Sequence, residues 1–140
     1  MILVNAEGKV LGRLASFAAK KAIEGEQITI VNAEKAIISG SKGDAVKKMK
    51  TRLGLKGKGN PEKGPKFSRM PDRALRKAVR GMLPWKSKRG KQAYSQVHVY
   101  IGLPEEFAEK KFTEPPKAKE KEFRKAVELG EVCRMLGARW

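Results

Sequence analysis

One cysteine, Cys133, and one histidine, His98, are all that 140 residues offer of those two types. A lone cysteine closes no internal disulfide, and a single histidine leaves no Cys/His cluster for zinc, so the expectation is a reducing cytoplasm, no metal and no other cofactor. Long apolar runs are missing as well. None approaches the roughly 20 residues needed to span a bilayer, which argues against membrane insertion. Met1-Ile-Leu-Val passes straight into a polar turn, without the basic start and long apolar region of a signal peptide, so export is not expected either. Acid is scarce in one place above all. Residues 41–91 hold 18 Lys or Arg against 3 Asp or Glu, a net of +15, while the other 89 residues hold 14 against 12, a net of +2. Charge that served solubility alone would be scattered along the chain. A concentrated block calls for an anionic partner, nucleic acid first and an anionic membrane second. The block lacks an aromatic amphipathic helix, which disfavours the membrane.

What is present suffices for a modest core: 40% of the residues are apolar, and the length suits one globular body over 1–140 with basic extensions. Ile2-Leu-Val4 reads as a buried strand that enters a turn at Asn5, Glu7 and Gly8. Leu11, Leu14, Ala15, Ala18 and Ala22 mark one face of a helix over residues 11–24, closed by Gly25. Residues 27–31, β-branched from Ile28 to Val31, read as a second strand, giving a β-α-β unit with parallel strands. Residues 36–39 have the composition of a further short strand, but the connection from Val31 is too short for a parallel crossover; hairpin, in-line continuation and turn all remain open.

Ser41-Lys-Gly-Asp44 has the pattern of a helix start, and Val46, Met49 and Leu53 follow at helical spacing. Residues 54–65, rich in Gly, Lys and Pro, have no apolar period and read as a flexible basic loop. In residues 69–91, Leu75, Ala78, Val79 and Met82 recur at helical spacing with cations between them; Pro71 and Asp72 suit the helix start, Gly81 and Pro84 its end. The following stretch, residues 85–92, offers no core residues of its own and is expected to be mobile until a polyanion receives it. Residues 96–101 alternate cleanly as a strand that stops at Gly102 and Pro104. Pro115-Pro116 is a connector, and a final helix over 117–136, within a C-terminal extension 116–140, presents Phe123, Val127, Gly130 and Leu136 or Cys133 on one side.

Catalytic signals are weak. Gly8-Lys-Val-Leu-Gly12 between a strand and a helix fits neither the dinucleotide fingerprint nor the P-loop, and a plain turn explains it better. His98 lies in an alternating strand with no nucleophile arranged beside it, so it reads as structural. Glu105-Glu106 and Glu120/Glu122 sit among lysines in polar segments, as solvated ion pairs do. The basic block alone resists a bland reading. Its candidate phosphate contacts are Lys47, Lys48, Lys50 and Arg52 on the first cationic helix, and Lys56, Lys58, Lys66 and Arg69 in the loop that follows. Arg73, Arg76, Lys77 and Arg80 are those of the second helix, and Lys86, Lys88, Arg89 and Lys91 extend beyond it. Trp85, beside Lys86 and Lys88, is placed either to stack on an unpaired base or to anchor packing.

Three motifs carry a family resemblance. Leu11-Gly-Arg-Leu-Ala15, Val31-Asn-Ala-Glu-Lys35 and above all Val79-Arg-Gly-Met-Leu-Pro84, followed by Lys86, Lys88, Arg89 and Gly90, resemble the universal large-subunit ribosomal protein thirteen family. The resemblance runs in order from Ile2 to Pro104 and includes the strand and turn from Val97 to Gly102. It implies a three-layer α/β/α body with a small, mostly parallel four-stranded sheet. It also implies a structural, non-enzymatic role against large-subunit ribosomal RNA among neighbouring ribosomal proteins, in the cytoplasm and without a small-molecule substrate. Arg80, Lys86, Lys88 and Arg89 would lie on RNA, with Arg13 and Lys35 as further candidates. The two-residue link Gly25-Glu26, the basic middle and the C-terminal segment resemble the archaeal and eukaryotic branch, and the short length favours archaea. The competing reading is a free-standing RNA-binding regulator or RNA-processing enzyme on the same fold.

Overall fold

The computed structural model describes residues 1–116 and 125–140. Its centre is a three-stranded parallel sheet in the order β1-β2-β4, formed by β1 (Ile2–Asn5), β2 (Ile28–Val31) and β4 (Val97–Val99). Ile2 pairs with Ile28 and Ile28 with Val97, so Ile2, Val4, Ile28, Ile30, Val97 and Val99 fall on one face. That face carries the main core. Helix α1 (Leu11–Ile23) lays Leu14, Ala15, Ala18, Ala19 and Ala22 against it and against α3 (Pro71–Met82). Four of those five residues are alanines, which let helix and sheet backbones approach closely. Leu75 and Val79 of α3 are fully buried in the same core.

The opposite face of the sheet is covered differently from the expected helical layer. Leu3 and Val31 pack against Phe107 and Phe112, which belong to the chain returning after β4, and the Thr113 amide donates to the Leu3 carbonyl at 2.7 Å. A 3-10 turn, Glu105–Phe107, is the only helical turn among the described residues of that segment. The mixed α/β class is as expected, but the fourth strand is not in this sheet. Strand β3 (Ile37–Ser39) pairs antiparallel with β5 (Ala126–Glu128), and the Ile37 amide donates to the Lys9 carbonyl at 2.8 Å. Residues 37–39 thus find a partner almost ninety positions away, and neither a hairpin nor an in-line continuation forms.

β5 and helix α5 (Leu129–Met135) replace the single helix expected over residues 117–136. Residues 117–124, including Phe123, lie outside the described residues. The exchange has a physical reason: Val127 is buried between exposed Ala126 and Glu128, an alternation too short to register against a helical background, and pairing with β3 decides it. From α5, Leu129, Cys133 and the following Ala138 enter the main core, while Val132 joins Val127 and Ala45 in a satellite cluster. A Cβ on Gly130 would lie 2.9 Å from the Glu34 carbonyl oxygen, so the start of α5 presses on the 3-10 turn Ala33–Lys35.

The motif segment at residues 31–35 has identifiable structural work. Asn32 takes the left-handed conformation (φ 56°), and its side-chain Nδ2 donates to the Asn5 Oδ1 at 3.0 Å, tying the ends of β1 and β2 together. Glu34 accepts from the Gly102 amide at 3.0 Å and so joins the end of β2 to the turn after β4.

Candidate nucleic-acid interface

Helix α2 (Lys42–Gly54) begins as its sequence predicts: Ser41 accepts from the Asp44 amide at 3.2 Å, and its hydroxyl donates to the Asp44 carboxylate at 2.6 Å. Lys42 reaches Glu131 of α5, anchoring the same end. The expected apolar stripe is less buried than anticipated. Ala45 is the one buried residue of α2; Met49 packs half-buried against the core and, with Leu53, lines an open groove of about 550 Å³ between α2 and α3. Ala74 and Ala78 of α3 form the facing wall, and Phe67, from the loop before α3, stands at the edge. Lys48 and Arg52 approach from α2; Arg73 and Lys77 approach from α3. Each pair is spaced by four, which sets both cations on the groove side of their helix.

Lys77 shows how tightly these charges are gathered. Its ammonium lies 3.4 Å from the Phe67 ring centroid and donates to the Lys66 carbonyl at 3.3 Å. Desolvation lowers its pKa from the ordinary lysine value, and the neighbouring charges of Arg80 and Arg52 lower it further. An anion would relieve all three charges.

The other side of α3 leads into residues 85–95. The Arg76 guanidinium sits 4.7 Å over Tyr94, Arg80 sits 4.0 Å over Trp85, and the two rings meet edge to face at 5.1 Å. Residues 85–92 therefore do have a hold in the fold, contrary to the expectation drawn from their composition. Most of them belong to helix α4 (Lys88–Ser95), capped by Ser87 accepting from the Gly90 amide at 3.1 Å. Gly90 and Ala93 are its buried residues, and a Cβ on Gly90 would collide with the Pro84 carbonyl. Arg89 donates to the Ile23 carbonyl at 3.2 Å, satisfying the end of α1. Small residues and a backbone contact hold this helix, and neither produces an apolar period.

The candidate cations are distributed over neighbouring elements: α2 with Lys47, Lys48, Lys50 and Arg52, then α3 with Arg73 and Lys77 on the groove side and Arg76 and Arg80 on the other, then Lys86, Lys88 and Lys91. Among the described residues none of the cations from Lys47 to Lys91 forms an ion pair. The ion pairs lie elsewhere, in Lys21 with Glu24 and Glu26, Lys35 with Glu7, and Lys42 with Glu131. Lys56, Lys58, Lys66 and Arg69 are exposed along the connection between α2 and α3. That connection folds on itself, since a Cβ on Gly64 would sit 2.8 Å from the Gly57 nitrogen, and Asn60 caps the 3-10 turn Pro61–Lys63.

Two candidates are differently placed. Lys35 meets Glu7 at 3.0 Å, which lowers the Glu7 pKa and raises that of Lys35 through the hydrogen bond and the paired charges. Arg13 is half-buried and already engaged within the chain. Phe67 and Tyr94 are contributors that sequence reasoning missed. A single aromatic in the polar run Lys66-Phe-Ser-Arg69 was the available signal for Phe67.

His98 stands in β4 opposite Thr29, and no group of three or more His, Cys, Asp or Glu converges among the described residues. Cys133 is buried, and burial together with the nearby Asp72 charge pushes its thiol up to about 11, which keeps it protonated and unreactive at neutral pH. No helix among the described residues is long and apolar enough to cross a membrane.

The fold and site define the class of small, strongly basic α/β proteins, here with cations from Lys47 to Lys91 that make no ion pair among the described residues. Comparison with known proteins narrows that class. The sequence model of the family described as ribosomal protein L13 matches residues 1–106. A large ribosomal subunit protein uL13 from Methanosphaera stadtmanae is 42% identical over 139 residues, covering 99% of this chain and 98% of its own. Its namesake from Archaeoglobus fulgidus is 44% identical, covering 98% and 88%, and that from Methanocaldococcus jannaschii is 41% identical with both chains fully covered. The chain belongs to the ribosomal protein L13 family. It is accordingly a ribosomal protein of the archaeal type, a structural constituent and not an enzyme.

Proposed function

We propose that this chain is a structural constituent of the large ribosomal subunit that holds ribosomal RNA against the surface formed by α2, α3 and residues 85–91. One observation carries the reading: the cations from Lys47 to Lys91 are gathered on adjacent helices and make no ion pair among the described residues. Such a surface is costly to assemble without an anion, and phosphate supplies one at every nucleotide. Lysines neutralise backbone charge, while Arg52 and Arg73 add planar, bidentate donors. Arg76 and Arg80 are held by aromatic faces, which fixes the direction in which their free donors point. The role is to screen phosphate repulsion so that RNA helices pack during subunit assembly, in the cytoplasm, with other ribosomal proteins alongside. Lys35 and Arg13 contribute less, because both are engaged within the chain.

Sedimentation of a native cell extract through a density gradient at low and then high salt tests this reading. Near-stoichiometric co-migration with the large subunit, with release only at high salt, is expected. Recovery mainly in the soluble top fractions would contradict it.

A further inference from the structure

We infer that the groove between α2 and α3 is a receptor for one unpaired nucleotide of the bound RNA, with its base against the apolar floor beside Phe67 and its two flanking phosphates on the cations of the facing walls. The inference rests on the RNA-binding reading and says what one part of that surface recognises. At about 550 Å³ the groove is within the size range of small-molecule sites, roughly 300–1,000 Å³. Its floor is apolar, bounded by Met49 and Leu53 on one wall and the two alanines on the other, with Leu11, Ile37, Ile38 and Leu129 also lining it. A double helix offers only its charged backbone to such a surface and would leave that floor facing water. An unpaired base has an apolar face of the right size, and stacking on aromatic side chains is how proteins hold one.

Charge placement favours a nucleotide over the other occupant that an apolar groove admits, an acidic amphipathic helix of a neighbouring protein. A helix carries its carboxylates along one side. Here the cations come from both walls, Lys48 and Arg52 opposite Arg73 and Lys77, so a chain crossing the groove meets positive charge on entering and on leaving. A nucleotide has that symmetry, with a phosphate on either side of its base. Lys77, 3.4 Å from the Phe67 ring, places a phosphate donor directly beside the aromatic wall.

The test is binding of the full chain to two fluorescent probes at fixed salt: a single-stranded RNA ten-mer and the same ten-mer paired with its complement. For Phe67→Ala, the ratio of single-strand to duplex affinity is expected to fall about tenfold, the range for losing one base–aromatic stack. Phe67→Tyr, which keeps the ring in an exposed loop, should restore the wild-type ratio. An unchanged ratio in Phe67→Ala would overturn the inference, whether both affinities fall together or neither does, and would leave the groove to a side chain of a neighbouring protein. Binding of the wild-type chain to neither probe would remove the RNA-binding reading itself, and the groove assignment with it.

Discussion

Gly90 shows how much can depend on a hydrogen atom in place of a methyl group. Its buried backbone lies against the Pro84 carbonyl, and any Cβ there requires α4 to shift away from the end of α3. Gly90→Ala is expected to lower stability by about 1–3 kcal/mol, as overpacking does, and to change tryptophan fluorescence as Trp85 leaves Tyr94; urea titration followed by fluorescence checks both. Cys133 makes a pH prediction. Its folded pKa is raised from 9.0 to about 11, so the folded chain keeps a proton that the unfolded chain loses in between. Stability from this group is therefore fully present below pH 9 and falls as pH climbs from 9 to 11; Cys133→Ala should flatten that part of the curve relative to wild type. Residue-scale legibility in the sequence was uneven. Ser41 and Asp44 announced their cap because the interaction is local, whereas the pairing of Lys35 with Glu7 spans 28 positions and only folding brings it about.

Elements whose residues pack through their own periodic side chains were readable: α1, α3 and the parallel pair β1 and β2 formed where spacing put them. Elements held by something else were not. Helix α4 depends on a glycine contact, a Trp–Tyr edge and an arginine cap on α1; β5 depends on β3, itself a short segment with no sequence-local partner. The groove was hidden for a related reason, since Met49 and Leu53 have the spacing of core residues yet line an open wall. The contrast between α4 and the loop at 55–60 is measurable. Amide exchange in the free chain should be slow in α4, apart from its first turn, where the backbone is helically bonded and its core-facing side is buried. It should be fast across residues 55–60, which are largely exposed and outside any helix or strand. Equal protection in the two stretches would show that the packing around Gly90 does not hold α4 in solution.

At the scale of the whole molecule, the sheet, α1 and the buried side of α3 form the main core, and the exposed sides of α2, α3 and α4 carry the cations. The family model ends at residue 106, yet Leu129 and Cys133 lie in the main core, so the C-terminal segment supports the same body that presents the basic surface. Composition revealed the net +15 of residues 41–91 directly. It did not reveal that the cations from Lys47 to Lys91 form no ion pair among the described residues once folded, which is a property of three-dimensional placement. The measurement that bears most directly on this account is the salt dependence of binding between the full chain and a large-subunit ribosomal RNA transcript. The logarithm of affinity should fall linearly with the logarithm of salt concentration, and neutralising Lys47 and Lys50 to Gln should each reduce the slope by about one. Neutralising Lys110 and Lys111, outside the basic surface, should leave the slope as it was. A slope insensitive to the first pair and reduced by the second would place the RNA on another face and contradict the account.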